Sequence, residues 1–96
     1  MSRSIQTEVV ERAIALLEKG WTYGAFARDA HGREVPVLSR RAARFCGVGA
    51  LDRAHHDLGL NVPVVKLSQR SRYLLATRND VQGKEEALRM LRQLIS

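Results

Sequence analysis

Apolar residues recur with a helical period over the first twenty positions. Val9, Val10, Ala13, Ile14, Leu16 and Leu17 fall on one broad stripe, and Glu8, Glu11, Arg12, Glu18 and Lys19 fall opposite it. The pattern predicts an amphipathic helix with Ser4 as N-cap and Glu8 placed to pair with Arg12 one turn on. Gly20 suits the position just past the helix end, where a left-handed backbone is favoured, and Trp21 is placed to fold back onto the last turn. From Trp21 to Val37 the period is lost: Gly24 and Gly32 interrupt it and Pro36 stops it. Asp29-Ala30-His31-Gly32 reads as a turn between Ala25-Phe26-Ala27 and a second short run at Arg33–Val37, either a small hairpin or an irregular loop. Two such strands are marginal alone and need helices beneath them.

A second helix is predicted from about Arg40 to Leu58, capped by Ser39 and ended by Gly59. Ala42, Phe45, Cys46, Gly49 and Ala50 share one side, continued with drift by Leu51, Ala54 and Leu58. Gly47 and Gly49 inside a helix cost about 1 kcal/mol each against alanine, so something must compensate. A face made of Cys46, Gly49 and Ala50 is small enough to seat another backbone or a large ring, with Trp21 or Phe26 as the candidates. Residues 61–77 stay open between helical and extended: Pro63 can begin a helix or sit in a Val62–Val65 strand, and Val64, Val65, Leu67, Tyr73, Leu74, Leu75 and Ala76 suffice for one or two short helices. The last stripe is clearer. Ala87, Leu88, Met90, Leu91, Leu94 and Ile95 line one face, Gly83 or Asp80 precedes it as a cap, and Glu85 and Glu86 at the start with Arg92 near the end agree with the helix dipole. The expected fold is mostly α: a small helical domain of about four helices with an irregular or hairpin insertion after helix one.

Ninety-six residues make one domain, 1–96, with room for one modest core. No apolar run approaches the roughly 20 residues of a membrane span, and Met1–Glu8 carries no apolar block of the secretory kind. A single cysteine, Cys46, excludes an internal disulfide framework and fits a reducing compartment, so the expected location is cytoplasmic. The net charge of +6 is uneven: residues 21–44 carry five positive and two negative groups, and residues 61–80 carry four and one. Such an excess is either a solvated basic face or an invitation to nucleic acid, anionic ligands or acidic partners.

Arg40, Arg41 and Arg44 would occupy the first turns of helix two, where the dipole disfavours cations. They are therefore candidates to hold an anion together with backbone N–H groups, the alternative being exposed arginines paired with Glu34. Arg70, Arg72 and Arg78, with Lys66 and Tyr73, form a second basic group that could track a nucleic-acid backbone, although no helix-turn-helix spacing accompanies it. His31, Cys46, His55, His56 and Asp57 lack metal-ligand spacing, so no metal and no cofactor is expected. Cys46 lies on the apolar stripe, where a buried thiol is inert.

The rarest residue types gather in two stretches, Trp21-Thr22-Tyr23-Gly24-Ala25-Phe26-Ala27-Arg28-Asp29-Ala30-His31-Gly32 and Phe45-Cys46-Gly47-Val48-Gly49-Ala50-Leu51, which hold the only Trp, the only Cys and both Phe. Gly20-Trp21, Gly24-Ala25, Arg28-Asp29, Gly32, Phe45-Cys46, Gly49-Ala50-Leu51 and Asn79-Asp80 follow one another in an order that resembles a family of small bacterial and phage-associated domains of unknown function. Thr22 stands where that resemblance implies a Cys, and Arg78 where it implies a Trp. The resemblance implies a fold and carries no activity. The reading taken from the sequence is a non-enzymatic domain that binds another protein. One alternative is a nucleic-acid-binding accessory protein using Arg40, Arg41, Arg44, Arg70, Arg72 and Arg78. Another is a small-molecule or enzymatic site around Trp21, Asp29, Cys46, Asn79 and Asp80, which requires those residues to converge on one pocket.

Overall fold

The first stripe forms α1 (Ile5–Lys19), and the Ser4 side chain caps it by accepting the Thr7 N–H. Val9, Val10, Ala13 and Leu17 are its buried positions. The structure, a computed structural model, describes residues 4–96. After α1 come β1 (Ala27–Arg28), β2 (Arg44–Phe45), α2 (Gly47–Asp57), α3 (Gln69–Gln82) and α4 (Lys84–Gln93). Four helices make up 54% of it, and the only sheet among the described residues has two strands, so the mostly α expectation holds. α1 lies chiefly against α2 and also against α4, while α3 packs on α4 and on α2. Their shared core is built from Val9, Val10, Leu17, Phe45, Val48, Leu51, Leu75, Leu88 and Leu91, with Ala13, Ala50, Ala54 and Ala87 buried among them.

The insertion is a small network of extended backbone. β1 and β2 pair antiparallel, with Ala27 opposite Phe45 and Arg28 opposite Arg44. Single bridges add Trp21 beside Phe45 and Glu34 beside Arg28. The expected turn at Asp29–Gly32 is present, closed by Gly32 N–H donating to the Asp29 carbonyl, and residues 33–35 return beside residues 27–29 as expected, Asp29 N–H donating to the Arg33 carbonyl and Val35 N–H to that of Ala27; residues 44–45 add a second partner for β1.

This pairing moves the start of helix two. The N–H groups of Ala43, Phe45 and Cys46 donate to the carbonyls of Arg28, Gly20 and Phe26. A helix from Arg40 would need those same N–H groups for its own ladder. The helix begins at Gly47 instead, and Arg40, Arg41 and Arg44 lie outside it. Cys46 becomes the N-cap, its Sγ accepting the Gly49 N–H at 3.3 Å.

Three other expectations change. Gly20 is extended, with φ −163°, so its need for glycine is close approach: a Cβ there would meet the Ala43 carbonyl. Arg12 reaches across to Asp57 on α2 at 2.8 Å and leaves Glu8. Asn79 and Asp80 lie within α3, and Gly83, at φ +94°, alone separates α3 from α4. The open stretch resolves into an irregular strap up to Leu67 followed by α3 from Gln69. His55 holds that strap: Nδ1 bonds the Leu51 carbonyl at 2.8 Å, and Nε2 accepts the N–H groups of Val64 and Val65.

The seat on α2 is occupied as its small residues require, by backbone. A Cβ on Gly49 would run into the carbonyl of Phe26, whereas one on Gly47 would stand 2.7 Å from a Leu75 methyl group. Backbone fixed in a sheet cannot yield, and a methyl group can swing. Gly49→Ala is therefore expected to destabilise by about 2 kcal/mol despite a helix-propensity gain of about 1 kcal/mol, and Gly47→Ala by clearly less. Urea unfolding of the two variants checks this, and equal effects would contradict it.

Candidate functional site

Asn79 is fully buried and uses its whole amide. Oδ1 accepts the Trp21 indole N–H at 2.9 Å and the Gly47 N–H at 3.1 Å. Nδ2 donates to the Thr22 carbonyl at 3.1 Å and to Asp80 Oδ1 at 3.0 Å. Asp80 Oδ1 also accepts the Gly24 N–H at 3.1 Å. Trp21, Asn79 and Asp80 are thus brought together, and loop 21–26 hangs from α3 through them.

Beside this network lies an open cleft of about 280 Å³, walled by Gly24, Ala25 and Phe26 on one side and by Ala76 and Asp80 of α3 on another, with Glu34 and Cys46 completing it. Its surroundings are aromatic. Tyr23 is 61% exposed, Phe26 52% and Tyr73 69%, while Phe45 is buried. Tyr73 precedes Ala76 and Asp80 by three and seven residues on α3, a spacing that sets all three along one side of the helix. Tyr23 stacks on the half-buried Trp21 with ring centroids 5.7 Å apart. Burial pushes the Cys46 thiol up, more than the Gly49 N–H bond pulls it down, so at neutral pH it is a neutral cap and no nucleophile.

Asp29 stands apart. It lines a second cleft, of about 350 Å³, with Ala30, His31, Arg33 and Arg41. Its Oδ1 accepts the N–H groups of His31 and Arg33, both at 2.9 Å, and closes its own turn. The Arg33 N–H bond, against partial desolvation and helped by the His31 N–H, holds the carboxyl below the ordinary value. The convergence that a site on Trp21, Asp29, Cys46, Asn79 and Asp80 requires is not formed.

The two arginine groups are also separate. Arg40, Arg41 and Arg44 are exposed on the segment that leads into β2. On α3, Arg70 is exposed in the first turn, Arg72 grips Asp52 through two bonds of 3.2–3.3 Å, and Arg78 lies 3.6 Å from Glu86. The Asp52 bond raises the Arg72 pKa. No ion pair among the described residues joins Glu34 to Arg40, Arg41 or Arg44. Among the described residues no group of three His, Cys, Asp or Glu side chains is placed to share a metal. No helix among them is long and apolar enough to cross a membrane.

The profile of one protein family matches residues 1–96. The chain belongs to DUF6197, a family of unknown function. Neither a curated protein nor a solved structure matches it. In this DUF6197 chain, Thr22 fills the position where a Cys was expected: it is buried, its N–H donates to the Phe45 carbonyl, and its own carbonyl receives Asn79.

Sequence reasoning missed the rim of the first cleft. Of the two occupants open for the small face, a backbone or the ring of Trp21 or Phe26, it is the backbone of Phe26 that sits on Gly49, which frees the ring. Tyr23, Glu34 and Tyr73 had no periodic signal that separates a rim from ordinary surface. Arg28 and Arg33 join the basic residues of this region only through the strand pairing and the Asp29 turn, which no local spacing carries.

The depressed Asp29 carboxyl links stability to pH. A carboxyl lower in the folded than in the unfolded state adds stability above its unfolded value, and that stability is lost as pH falls through the folded one. Asn in its place keeps an oxygen acceptor but cannot titrate. Thermal unfolding followed from about pH 7 to about pH 2 should show a shallower acid loss for Asp29→Asn than for wild type, and identical acid limbs would contradict the assignment.

Proposed function

We propose that this DUF6197 chain is a non-enzymatic module that binds another protein through the cleft between loop 22–26 and α3, in a reducing cytoplasm that suits its one buried thiol. The observation that carries the reading is the distribution of its five aromatic rings. Tyr23, Phe26 and Tyr73 are each more than half exposed: Phe26 lines the cleft, Tyr23 directly precedes its Gly24, Tyr73 lies one turn before its Ala76 on α3, and Trp21 is only half-buried. Exposed rings forgo burial worth a few kcal/mol each, and aromatic anchors are what protein interfaces concentrate at their centres. Rings flanking a cleft also mark a site more strongly than apolar residues scattered singly.

The cleft's charge selects the partner. Glu34 and Asp80 place two carboxylates in it, on a chain whose net charge is +6. A partner segment that sets an apolar residue against Phe26 and Tyr73 and a lysine or arginine beside the carboxylates matches both features. The cleft's one thiol, Cys46, is buried as the cap of α2, and Asp80 is engaged by the Gly24 N–H and by Asn79, which favours binding over catalysis.

Selection of a random peptide library against the whole chain tests the reading. Enriched peptides should pair a basic residue with an apolar one, bind with micromolar affinity, and lose about tenfold or more with Phe26→Ala or Tyr73→Ala. Both rings are exposed, so both variants should keep the wild-type melting temperature. Absence of enrichment, or peptides that bind these variants as well as wild type, would overturn it.

A further inference from the structure

Most of the chain's arginines outside residues 28–44 are ion-paired with carboxylates. Arg12 and Arg53 share Asp57, Arg72 takes Asp52, and Arg78 and Arg89 share Glu86. Burial pushes the Asp57 carboxyl up, but bonds from Arg12 and Arg53 outweigh it and hold it below the ordinary value. Residues 28–44 break this habit. They hold Arg28, Arg33, Arg40, Arg41 and Arg44 against only Asp29 and Glu34. The one ion pair there is Arg33 to Asp29, at a long 3.7 Å.

The arrangement is also built against its own electrostatics. The strand register sets Arg28 directly opposite Arg44, a like-charge pair that disfavours the sheet. Both guanidinium groups are steadied by neutral carbonyls, which fix their position without cancelling their charge: Arg28 on Gly32 and Tyr23, Arg44 on Ala30. Arg33 and Arg41 line the cleft beside the same turn, with His31. Arg40 and Arg41 are exposed and make no side-chain bond among the described residues.

From this we infer that the face formed by Arg28, Arg33, Arg40, Arg41 and Arg44 binds the phosphate backbone of a nucleic acid. It is a second surface that adjoins the aromatic cleft through Arg28 and Glu34, but none of its five arginines lines that cleft. Planar guanidinium forks match phosphate oxygens, and five of them exceed what one isolated anion needs. No large apolar side chain lines the cleft at this turn, which has the polar, strongly positive character of a nucleic-acid interface. Residues 28–44 contain no helix to enter a major groove, so the contacts proposed are to phosphates and the binding is sequence-tolerant. Arg70, Arg72 and Arg78 are not part of it.

Fluorescence anisotropy of the full chain with a labelled mixed-sequence DNA duplex tests the inference. About four phosphate contacts should weaken binding about 100-fold between about 50 and about 200 mM salt. The double variant Arg40→Ala/Arg41→Ala should lower the log–log salt slope by about two, and Arg70→Ala, an exposed arginine off the face, should leave it unchanged. An acidic peptide of matched charge should compete poorly. The inference is overturned by no binding at the lowest salt, by Arg70→Ala acting like Arg40→Ala or Arg41→Ala, or by the acidic peptide competing as well as DNA, which would assign the face to an acidic protein.

Discussion

The arrangement of this chain depends on one buried amide. Asn79 accepts from an indole and from the first N–H of α2, and donates to the Thr22 carbonyl and to the Asp80 carboxylate. Four bonds exhaust what an asparagine side chain can make. Each partner belongs to a different stretch or plays a different role: Trp21 and Thr22 leave α1, Gly47 opens α2, and Asp80 passes the restraint on to Gly24. A buried polar group this fully used specifies a single arrangement, because any shift of α3 leaves several donors or acceptors unpaired at once. Among the described residues no buried side-chain nitrogen or oxygen lacks a partner.

Around that amide, the extended backbone of the insertion and the small face of α2 fit one another. Phe45 is a hub: its N–H and carbonyl bond to Gly20 and Thr22, its neighbour Cys46 bonds to Phe26, and its ring is buried beneath the Arg53 guanidinium, 5.8 Å from the ring centroid. Arg53 also donates to the carbonyls of Val37 and Ser39 and so ties the far end of the insertion to α2. Both candidate surfaces follow from this packing. Gly49 takes the backbone of Phe26 and leaves its ring outside, and the β1–β2 pairing holds residues 40–44 out of helix two and sets their arginines on the surface.

The periodic parts of the fold were legible and the aperiodic parts were not. α1 and α4 show their burial directly, because a single wet face leaves a 3.6-residue stripe in the sequence. The need for close approach at Gly49 was legible too, since a glycine inside a helix demands a reason. Ala42 and Phe45 continue the stripe of helix two and so predict a start seven residues before the observed one. What overrides them is the demand of the Arg28, Gly20 and Phe26 carbonyls, a long-range requirement that no local window carries. Asn79 and Asp80 stand out in the sequence as an Asn-Asp pair, read as part of a possible pocket and, for Asp80, as a cap of the last helix. Nothing in the spacing tells that an asparagine in mid-helix faces an indole 58 residues away in sequence.

The central claim is that the Asn79 amide fixes how α3, α2 and loop 21–26 meet. Denaturant unfolding of Asn79→Ala and Asn79→Asp, with amide and indole hydrogen exchange on each, tests it most directly. Asn79→Ala strands the Trp21 and Gly47 donors and the Thr22 acceptor, and should cost about 3 kcal/mol or more, with faster exchange at the Trp21 indole and the Gly47 and Gly24 amides. Asn79→Asp keeps the acceptor oxygen, loses both donors and sets its charge beside Asp80, so it should also destabilise while protecting the indole better than alanine does. A loss below about 1 kcal/mol for Asn79→Ala, with indole exchange unchanged, would contradict the account.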